Sequence, residues 1–192
     1  MTTFVLATHN AHKVEELRRI LGERLGPHEL IGYDGPEPVE DGDTFEANAL
    51  IKARAAYAHT GLPAIADDSG ISVRALGGAP GIHSARYAGT RDDVDNYTLL
   101  LENLTGVTDR AADFMCAAAL VDGDTELTVL GVWPGEVLAA PSGTHGFGYD
   151  PVFRPEGIET SSAELTADEK NAISHRSRAF GALVEKLREL YG

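Results

Sequence analysis

A single cysteine, Cys116, is present in the 192-residue chain. A disulfide or a cysteine-based zinc site within one chain needs more than one thiol, so both are excluded. Cys116 lies in the apolar run 114–118, where we expect a buried structural thiol rather than a nucleophile. Other side chains must therefore carry any chemistry of this protein.

Long apolar runs and targeting signals are also lacking. No window approaches the roughly 20 apolar residues that a membrane-spanning helix needs. Met1-Thr2-Thr3 leads directly into an apolar strand, without the basic segment or cleavage site of a signal peptide. These absences predict a cytoplasmic location and no membrane partner.

Basic residues are scarce, with 16 Lys and Arg against 30 Asp and Glu and a net charge of −14. Binding to a long nucleic acid requires a concentrated basic surface, so we expect no nucleic-acid partner. A small polyanion needs only a few local cations, helix N-termini and a divalent cation, so this class of ligand stays open.

Linkers, repeats and low-complexity tracts are absent, which favours one domain over residues 1–192. A GxxxxGKS/T loop and a GxGxxG fingerprint are absent as well, so the standard P-loop and dinucleotide-binding sites are not indicated. Short apolar runs alternate with amphipathic helical patterns, and this alternation predicts an α/β chain.

The stretch 64–70, AIADDSG, is the centre of the predicted chemistry. We expect a strand that reaches two carboxylates and then turns sharply at Gly70. Side chains alternate along a strand, so Asp67 and Asp68 face opposite sides and have different roles. The alternative is a structural junction in which Asp and Ser cap backbone amides.

An N-terminal polar loop, Thr8 to Lys13, separates a strand from a helical pattern. Free amides at such a helix start, together with the Lys13 ammonium, suit a phosphate group. The alternative interpretation is that these residues only cap the helix and face solvent.

An acidic loop follows at 32–42, and its carboxylates suit Mg²⁺ or simply solvent. Asp43 and Glu46 resemble a capping box for a helix that ends at Gly61. On this helix Lys52 is either a phosphate contact or a solvated lysine.

The C-terminal half has a predicted hairpin around Asp122-Gly123 and a glycine-rich segment, GTHGFGYDPVF, at 143–153. Phe147 and Tyr149 are suited to stack on a base whose edge Asp150 reads, although a turn with core aromatics is the alternative. Lys170, His175 and Arg176 place cations at a helix start, where the helix dipole makes them slightly unfavourable, which hints at a ligand that offsets this cost. The alternative is that a lone histidine such as His175 is structural.

Taken together, these motifs resemble the inosine triphosphate pyrophosphatase family from residue 4 to about residue 184. The matching segments are Thr8-His9-Asn10 with Lys13, Thr44-Phe45 with Asn48-Ala49 and Lys52-Ala53, Ala66 to Gly70, Gly77 to Tyr87, Gly146 to Pro151 and Ser174-His175-Arg176.

The resemblance implies hydrolysis of non-canonical purine nucleoside triphosphates (ITP, dITP, XTP) to the monophosphate and pyrophosphate. It also implies a Mg²⁺-dependent homodimer with an elongated mixed central sheet flanked by helices, in two lobes with a cleft between them.

Residue by residue, the resemblance implies that Glu40 and Asp68 bind Mg²⁺ and that Asp68 also accepts the proton of the attacking water. The residues implied to bind the substrate are Thr8, His9, Asn10, Ala11, His12 and Lys13 for the triphosphate, Ser69 beside Asp68, and Phe147, Gly148, Tyr149, Asp150, Lys170, His175 and Arg176 for the purine. A pyrophosphatase for another nucleoside triphosphate and a nucleotide-binding protein without turnover are the alternatives.

Overall fold

The computed structural model describes all 192 residues, apart from the side chain of Glu23. The chain contains both helices and strands, in agreement with the α/β prediction. The elements are β1 (Thr3–Leu6), α1 (Ala11–Leu21), β2 (Glu29–Gly32), α2 (Phe45–Thr60), β3 (Ala64–Val73), α3 (Asp93–Asn103), β4 (Ala111–Asp122), β5 (Thr125–Val137), β6 (Phe153–Pro155), α4 (Ala167–Ile173) and α5 (His175–Tyr191).

All six strands form one sheet in the order β2-β1-β3-β4-β5-β6. Strand β1 runs parallel to β2 and β3, whereas β5 and β6 are antiparallel. The predicted mixed sheet is therefore confirmed. β4 and β5 are neighbours joined by two residues, which confirms the hairpin, although β5 continues past Trp133 to Val137.

The chain divides into two compact units. Unit 1 comprises residues 1–68, 116–131 and 176–192, and unit 2 comprises residues 69–115 and 132–175. The assignment of residues 1–192 to one functional domain stays a prediction.

Unit 1 has an apolar core built from β1, the inner faces of α1 and α5, and the parts of β3 and β4 that belong to it. Leu17 and Leu21 of α1 are buried there, as are Phe180 and Leu187 of α5. Cys116 is also in this core, which confirms the structural interpretation of the thiol.

Unit 2 has its own core, in which helix α3 packs Leu100 and Leu104 against the aromatic residues of β4, β5 and β6. The Asp92 side chain caps α3 by accepting a hydrogen bond from the Asp95 amide at 3.0 Å.

Three local predictions are wrong. The turn expected at Gly70 does not exist, because β3 continues through Asp67 and Asp68 to Val73. Helix α2 is capped by Thr44, whose hydroxyl accepts from the Ala47 amide at 3.1 Å, and not by Asp43. Lys170 lies in the last turn of α4, where a cation is favourable, and not at a helix start.

Glycine at position 70 is explained by packing and not by a turn. A Cβ atom there would lie 2.4 Å from the Gly81 carbonyl oxygen and 2.4 Å from Ser84 Oγ. The segment 81–86, which forms a 3-10 helix, therefore lies directly against β3. No helix in the part of the chain that the structure describes is long and apolar enough to cross a membrane.

Candidate functional site

Two adjacent carboxylates of β3, Asp67 and Asp68, have separate sets of partners. Asp67 is bound by Lys13 and Arg176, and Asp68 is bound by Lys52. Alternation along a strand explains the separation, because neighbouring side chains point to opposite faces. The Asp67 side chain has no exposed surface.

Asp67 is the acceptor in a buried ion network. Its Oδ2 lies 3.0 Å from Lys13 Nζ and 3.3 Å from Arg176 Nη2. Arg176 also forms an ion pair with Glu16, which follows Lys13 by three residues on α1. Lys13, Glu16, Asp67 and Arg176 thus belong to one ion-paired network in unit 1, in which each charge has a partner of opposite sign, as buried charges require.

Electrostatics keep Asp67 ionised. Burial by itself raises the pKa of Asp67, but the charges of Lys13 and Arg176 more than offset burial and hold this pKa well below its usual value. Burial also raises the pKa of the nearby Cys116 thiol far above its usual range, so the thiol stays protonated.

Asp68 shares one lysine with Glu40. Lys52 Nζ lies 3.2 Å from Asp68 Oδ1 and 3.0 Å from Glu40 Oε2, so the two carboxylates converge on a single ammonium. Burial raises the pKa of Asp68, and Lys52 opposes this rise. The pKa of Lys52 is raised although burial lowers it, because the three neighbouring carboxylates favour the ammonium.

Asp68 and Glu40 are the residues expected to bind Mg²⁺, and their surroundings are compatible with that role. Asp68 Oδ2 is buried and has no hydrogen-bond partner among the described residues, so this oxygen is an unused acceptor. No group of three or more His, Cys, Asp or Glu side chains suited to a metal occurs in the described chain. Mg²⁺ is commonly bound by one or two carboxylates together with water and substrate phosphates, which agrees with a two-carboxylate site.

The loop from Thr8 to Lys13 begins helix α1 as predicted. Asn10 caps the helix, because its Oδ1 accepts from the amides of His12 at 3.0 Å and Lys13 at 3.2 Å. The His9 ring stacks on Tyr33 and its Nδ1 lies 3.1 Å from Glu37. The capping interpretation is thus confirmed for Asn10, and phosphate binding by Thr8, Ala11 and the rest of the loop stays a prediction.

In unit 2, Asp150 organises the glycine-rich segment. Its Oδ2 accepts from the Phe147 amide at 2.9 Å and from Lys170 Nζ at 2.7 Å, and its Oδ1 accepts from Ser162 Oγ at 2.9 Å. The Lys170 ammonium also lies 4.9 Å from the centre of the Phe147 ring. Asp150, Phe147 and Lys170 therefore form one cluster, as their common assignment to the purine pocket requires.

The two predicted stacking residues differ in exposure. Tyr149 is buried in the core of unit 2, and its hydroxyl donates to the Ser84 carbonyl oxygen at 2.6 Å. Phe147 is only partly buried. Phe147 is therefore the residue that could stack on a base. Tyr149 agrees with the alternative interpretation, in which the aromatic residues of this segment belong to the core.

The remaining predicted residues lie in both units. Ser69, in unit 2, is partly buried next to Asp68 in sequence. His175 is buried in unit 2 and stacks on Phe114, with ring centres 4.7 Å apart. Arg176 belongs to unit 1, where it binds Asp67 and Glu16. Substrate binding by these residues stays a prediction.

Glu16 and Asp93 were not predicted from the sequence. The Asp93 carboxylate accepts from the Gly148 amide at 2.7 Å. For Glu16 a signal existed, because it lies four residues before the buried Ile20 and hence on the inner face of α1. No sequence signal connects Asp93 or Ser84 with the distant glycine-rich segment.

Comparison with known proteins places these residues in a family. The model of the Ham1 family matches residues 4–186. A dITP/XTP pyrophosphatase of Leifsonia xyli subsp. xyli is 55% identical over 194 residues, covering 99% of this chain and 98% of the relative. A dITP/XTP pyrophosphatase of Streptomyces coelicolor is 54% identical and matches over the full length of both chains.

Solved structures agree with the sequence matches. A HAM1 protein from Coxiella burnetii is 42% identical and superposes with a TM-score of 0.90, covering 98% of this chain and 100% of that chain. The resemblance drawn from the motifs is thereby confirmed. Since the family model spans nearly the whole sequence and the relatives match from end to end, the chain belongs to the Ham1 family.

Proposed function

We propose that this protein hydrolyses the non-canonical purine nucleoside triphosphates ITP, dITP and XTP to the monophosphate and pyrophosphate, and so removes deaminated purines from the nucleotide pool. One observation carries the proposal: relatives that match the chain from end to end at up to 55% identity are named dITP/XTP pyrophosphatases. The carboxylate and lysine clusters supply groups suited to this chemistry.

The reaction adds water across the bridge between the α- and β-phosphates. The oxygen of water bonds to phosphorus, the bridging P–O bond breaks, and the water loses a proton. Asp68 accepts this proton through its carboxylate. Burial raises the pKa of Asp68, which makes its carboxylate a stronger base, while the Lys52 ammonium opposes this rise.

Glu40 and Asp68 hold Mg²⁺ in this proposal. When bound, Mg²⁺ neutralises negative charge on the phosphate oxygens and lowers the cost of attack by water. Lys13 contributes a further positive charge to the triphosphate. Its ammonium has three N–H donors, and the contact with Asp67 fixes the direction of one of them.

The purine is recognised through Phe147, which stacks on the ring, and through polar groups from Asp150, Lys170, His175 and Arg176. Hypoxanthine and xanthine carry a carbonyl at C6, where adenine carries an amine. A donor aimed at this position binds the carbonyl and leaves the adenine amine unpaired, which favours deaminated purines over adenine.

The protein acts as a homodimer in the cytoplasm in this proposal, as the family resemblance implies. Light scattering coupled to size-exclusion chromatography tests the dimer, because the monomer mass is 20.4 kDa. An eluting mass near one monomer would overturn it.

A nucleotide panel tests the reaction. ITP, dITP, XTP, GTP and ATP are each incubated with the enzyme in Mg²⁺ and in excess chelator, and pyrophosphate is detected separately from orthophosphate. We expect pyrophosphate from ITP, dITP and XTP in Mg²⁺, and little from GTP, from ATP or in chelator. Orthophosphate as the first product would refute the pyrophosphatase proposal, and equal hydrolysis of GTP or ATP would refute its specificity.

A further inference from the structure

The backbone of the glycine-rich segment is held by two carboxylates. The Phe147 amide donates to Asp150, three residues further along the chain, and the Gly148 amide donates to Asp93, which is 55 residues away. The first contact is local and forms within the loop. The second contact connects the loop to helix α3, so it decides where the loop lies relative to that helix.

Asp93 does not serve its own helix. The cap of α3 is Asp92, and the Asp93 carboxylate instead accepts from Gly148 at 2.7 Å. A carboxylate in the first turn of a helix is stabilised by the helix dipole. The bond to the amide is charge-assisted and therefore short and directional.

A second support comes from the segment 81–86, through the bond from the Tyr149 hydroxyl to the Ser84 carbonyl oxygen. This segment and α3 are themselves connected. The buried Asn96 of α3 donates to the Ala85 carbonyl oxygen at 3.2 Å and accepts from the Ala88 amide at 2.8 Å. Asp93 and Ser84 thus belong to one hydrogen-bonded network, which contacts Gly148 and Tyr149, the two residues that follow Phe147.

We propose that Asp93 is a positioning residue for purine recognition. It holds Gly148, and so keeps the preceding Phe147 ring in the orientation in which it stacks on a purine, without touching the nucleotide. This inference rests on the proposed function, in which Phe147 binds the base. Asp93 is exposed, so we expect the loss of its carboxylate to cost the protein little folding stability. The same loss removes the hydrogen bond that the Gly148 amide donates to α3.

The test compares Asp93→Ala, Asp93→Asn and the matched control Asp95→Ala. Asp95 lies in the same first turn and is exposed, and its carboxylate accepts from the Thr90 hydroxyl at 2.8 Å, so its removal changes the helix charge equally. Asp93→Asn keeps an oxygen that can accept from Gly148. We expect KM for ITP to rise about three- to tenfold in Asp93→Ala, with kcat within about twofold of wild type.

Inorganic tripolyphosphate, which lacks a base, distinguishes a specific effect on purine binding from a general loss of affinity for the nucleotide. Its inhibition constant should be unchanged in Asp93→Ala, Asp93→Asn should recover most of the affinity for ITP, and Asp95→Ala should resemble wild type. Hydrogen exchange measured by mass spectrometry should be faster over residues 146–150 in Asp93→Ala alone. An unchanged KM for ITP, or an equal loss of affinity for ITP and tripolyphosphate, would overturn the inference.

The binding of ITP, measured by calorimetry in Mg²⁺, distinguishes this inference from the proposed function. If the wild type binds ITP without releasing pyrophosphate, the proposed reaction fails, while weaker binding by Asp93→Ala than by Asp95→Ala still supports the positioning role. If the wild type does not bind ITP at all, both proposals are overturned.

Discussion

The ammonium of Lys52 lies 3.2 Å from Oδ1 of Asp68, and this pair is the electrostatic centre of the candidate site. Burial favours the neutral form of Asp68, whereas Lys52 favours the carboxylate. The balance leaves a base of raised pKa that is still paired with a cation. This relationship explains why a buried carboxylate next to Asp67 and Glu40 can ionise and accept a proton.

Asp68→Asn should abolish most of the turnover and leave the fold intact. The amide keeps the size of the side chain but has neither the charge nor the basicity to take a proton from water, so we expect kcat for ITP to fall at least about a hundredfold. Steady-state pyrophosphate release and thermal unfolding measure the two effects. The control is Asp109→Asn, which changes an exposed carboxylate paired with Arg74. A variant with the wild-type rate would show that Asp68 is not the base.

Lys52→Met should shift the pH dependence of activity. Lys52 lowers the pKa of Asp68, so its removal raises this pKa further, and the ionised base appears only at higher pH. We expect the acid limb of the kcat/KM profile to move up by about one pH unit, with the deficit shrinking as the pH increases. Lys186→Met, which removes a lysine from an exposed pair with Glu189, is the control. A uniform loss of rate at every pH would contradict the electrostatic role.

Lys13→Ala should chiefly weaken triphosphate binding. The variant loses one positive charge for the phosphates but keeps Asp68 and Lys52, so we expect KM for ITP to rise about tenfold, with a smaller effect on kcat. Initial rates over a range of ITP concentrations provide both constants. Arg19→Ala removes an exposed cation from the same helix, where it pairs with Glu15, and serves as the control. An unchanged KM would return Lys13 to a purely structural role.

Asp67→Asn should destabilise the protein, because Lys13 and Arg176 lose their shared anion in the interior. Breaking a buried ion pair in this way costs about 3 kcal/mol of unfolding free energy. The folded pKa of Asp67 lies below the unfolded value of about 3.9, so its contribution is fully present above that value and is lost as the pH falls towards the folded pKa.

Urea unfolding at several pH values checks this prediction. The difference between wild type and Asp67→Asn should be constant from about pH 5 to pH 8 and should shrink below about pH 4. Asp109→Asn should have little effect at any of these pH values, because its carboxylate is in contact with solvent. A difference that grew on acidification would show that Asp67 is not held ionised by its partners.

Gly70→Ala should destabilise unit 2 by about 1–3 kcal/mol, because the new methyl group would overlap the Gly81 carbonyl oxygen and Ser84 Oγ. Chemical denaturation measures the change. Gly32→Ala is a strict control, since Gly32 also lies in a strand and a Cβ there meets nothing within 4 Å. Equal stability of Gly70→Ala and wild type would show that the segment 81–86 moves away at little cost.

Much of the fold could be predicted because it follows from local periodicity. The apolar positions of α1, α3 and α5 recur at helical spacing, and two apolar runs around Asp122-Gly123 are typical of a hairpin. The prediction failed at Asp67 to Gly70, where two acids, a serine and a glycine resemble a turn. Neighbouring strands and the close approach of Gly81 and Ser84 hold this segment extended, and such tertiary contacts override local preference.

The amino-acid sequence by itself determined which groups are available: Asp68, Glu40 and Lys13 occur in motifs that are specific enough to indicate the family. Only the tertiary structure decided which distant side chains and amides contact one another. Lys13 meets Asp67 across 54 residues and Arg176 meets the same oxygen across 109, whereas Gly148 meets Asp93 across 55. Periodicity and motifs describe a few neighbouring residues, but charges and hydrogen bonds act through space, so the pairing of distant side chains depends on how the strands and helices pack.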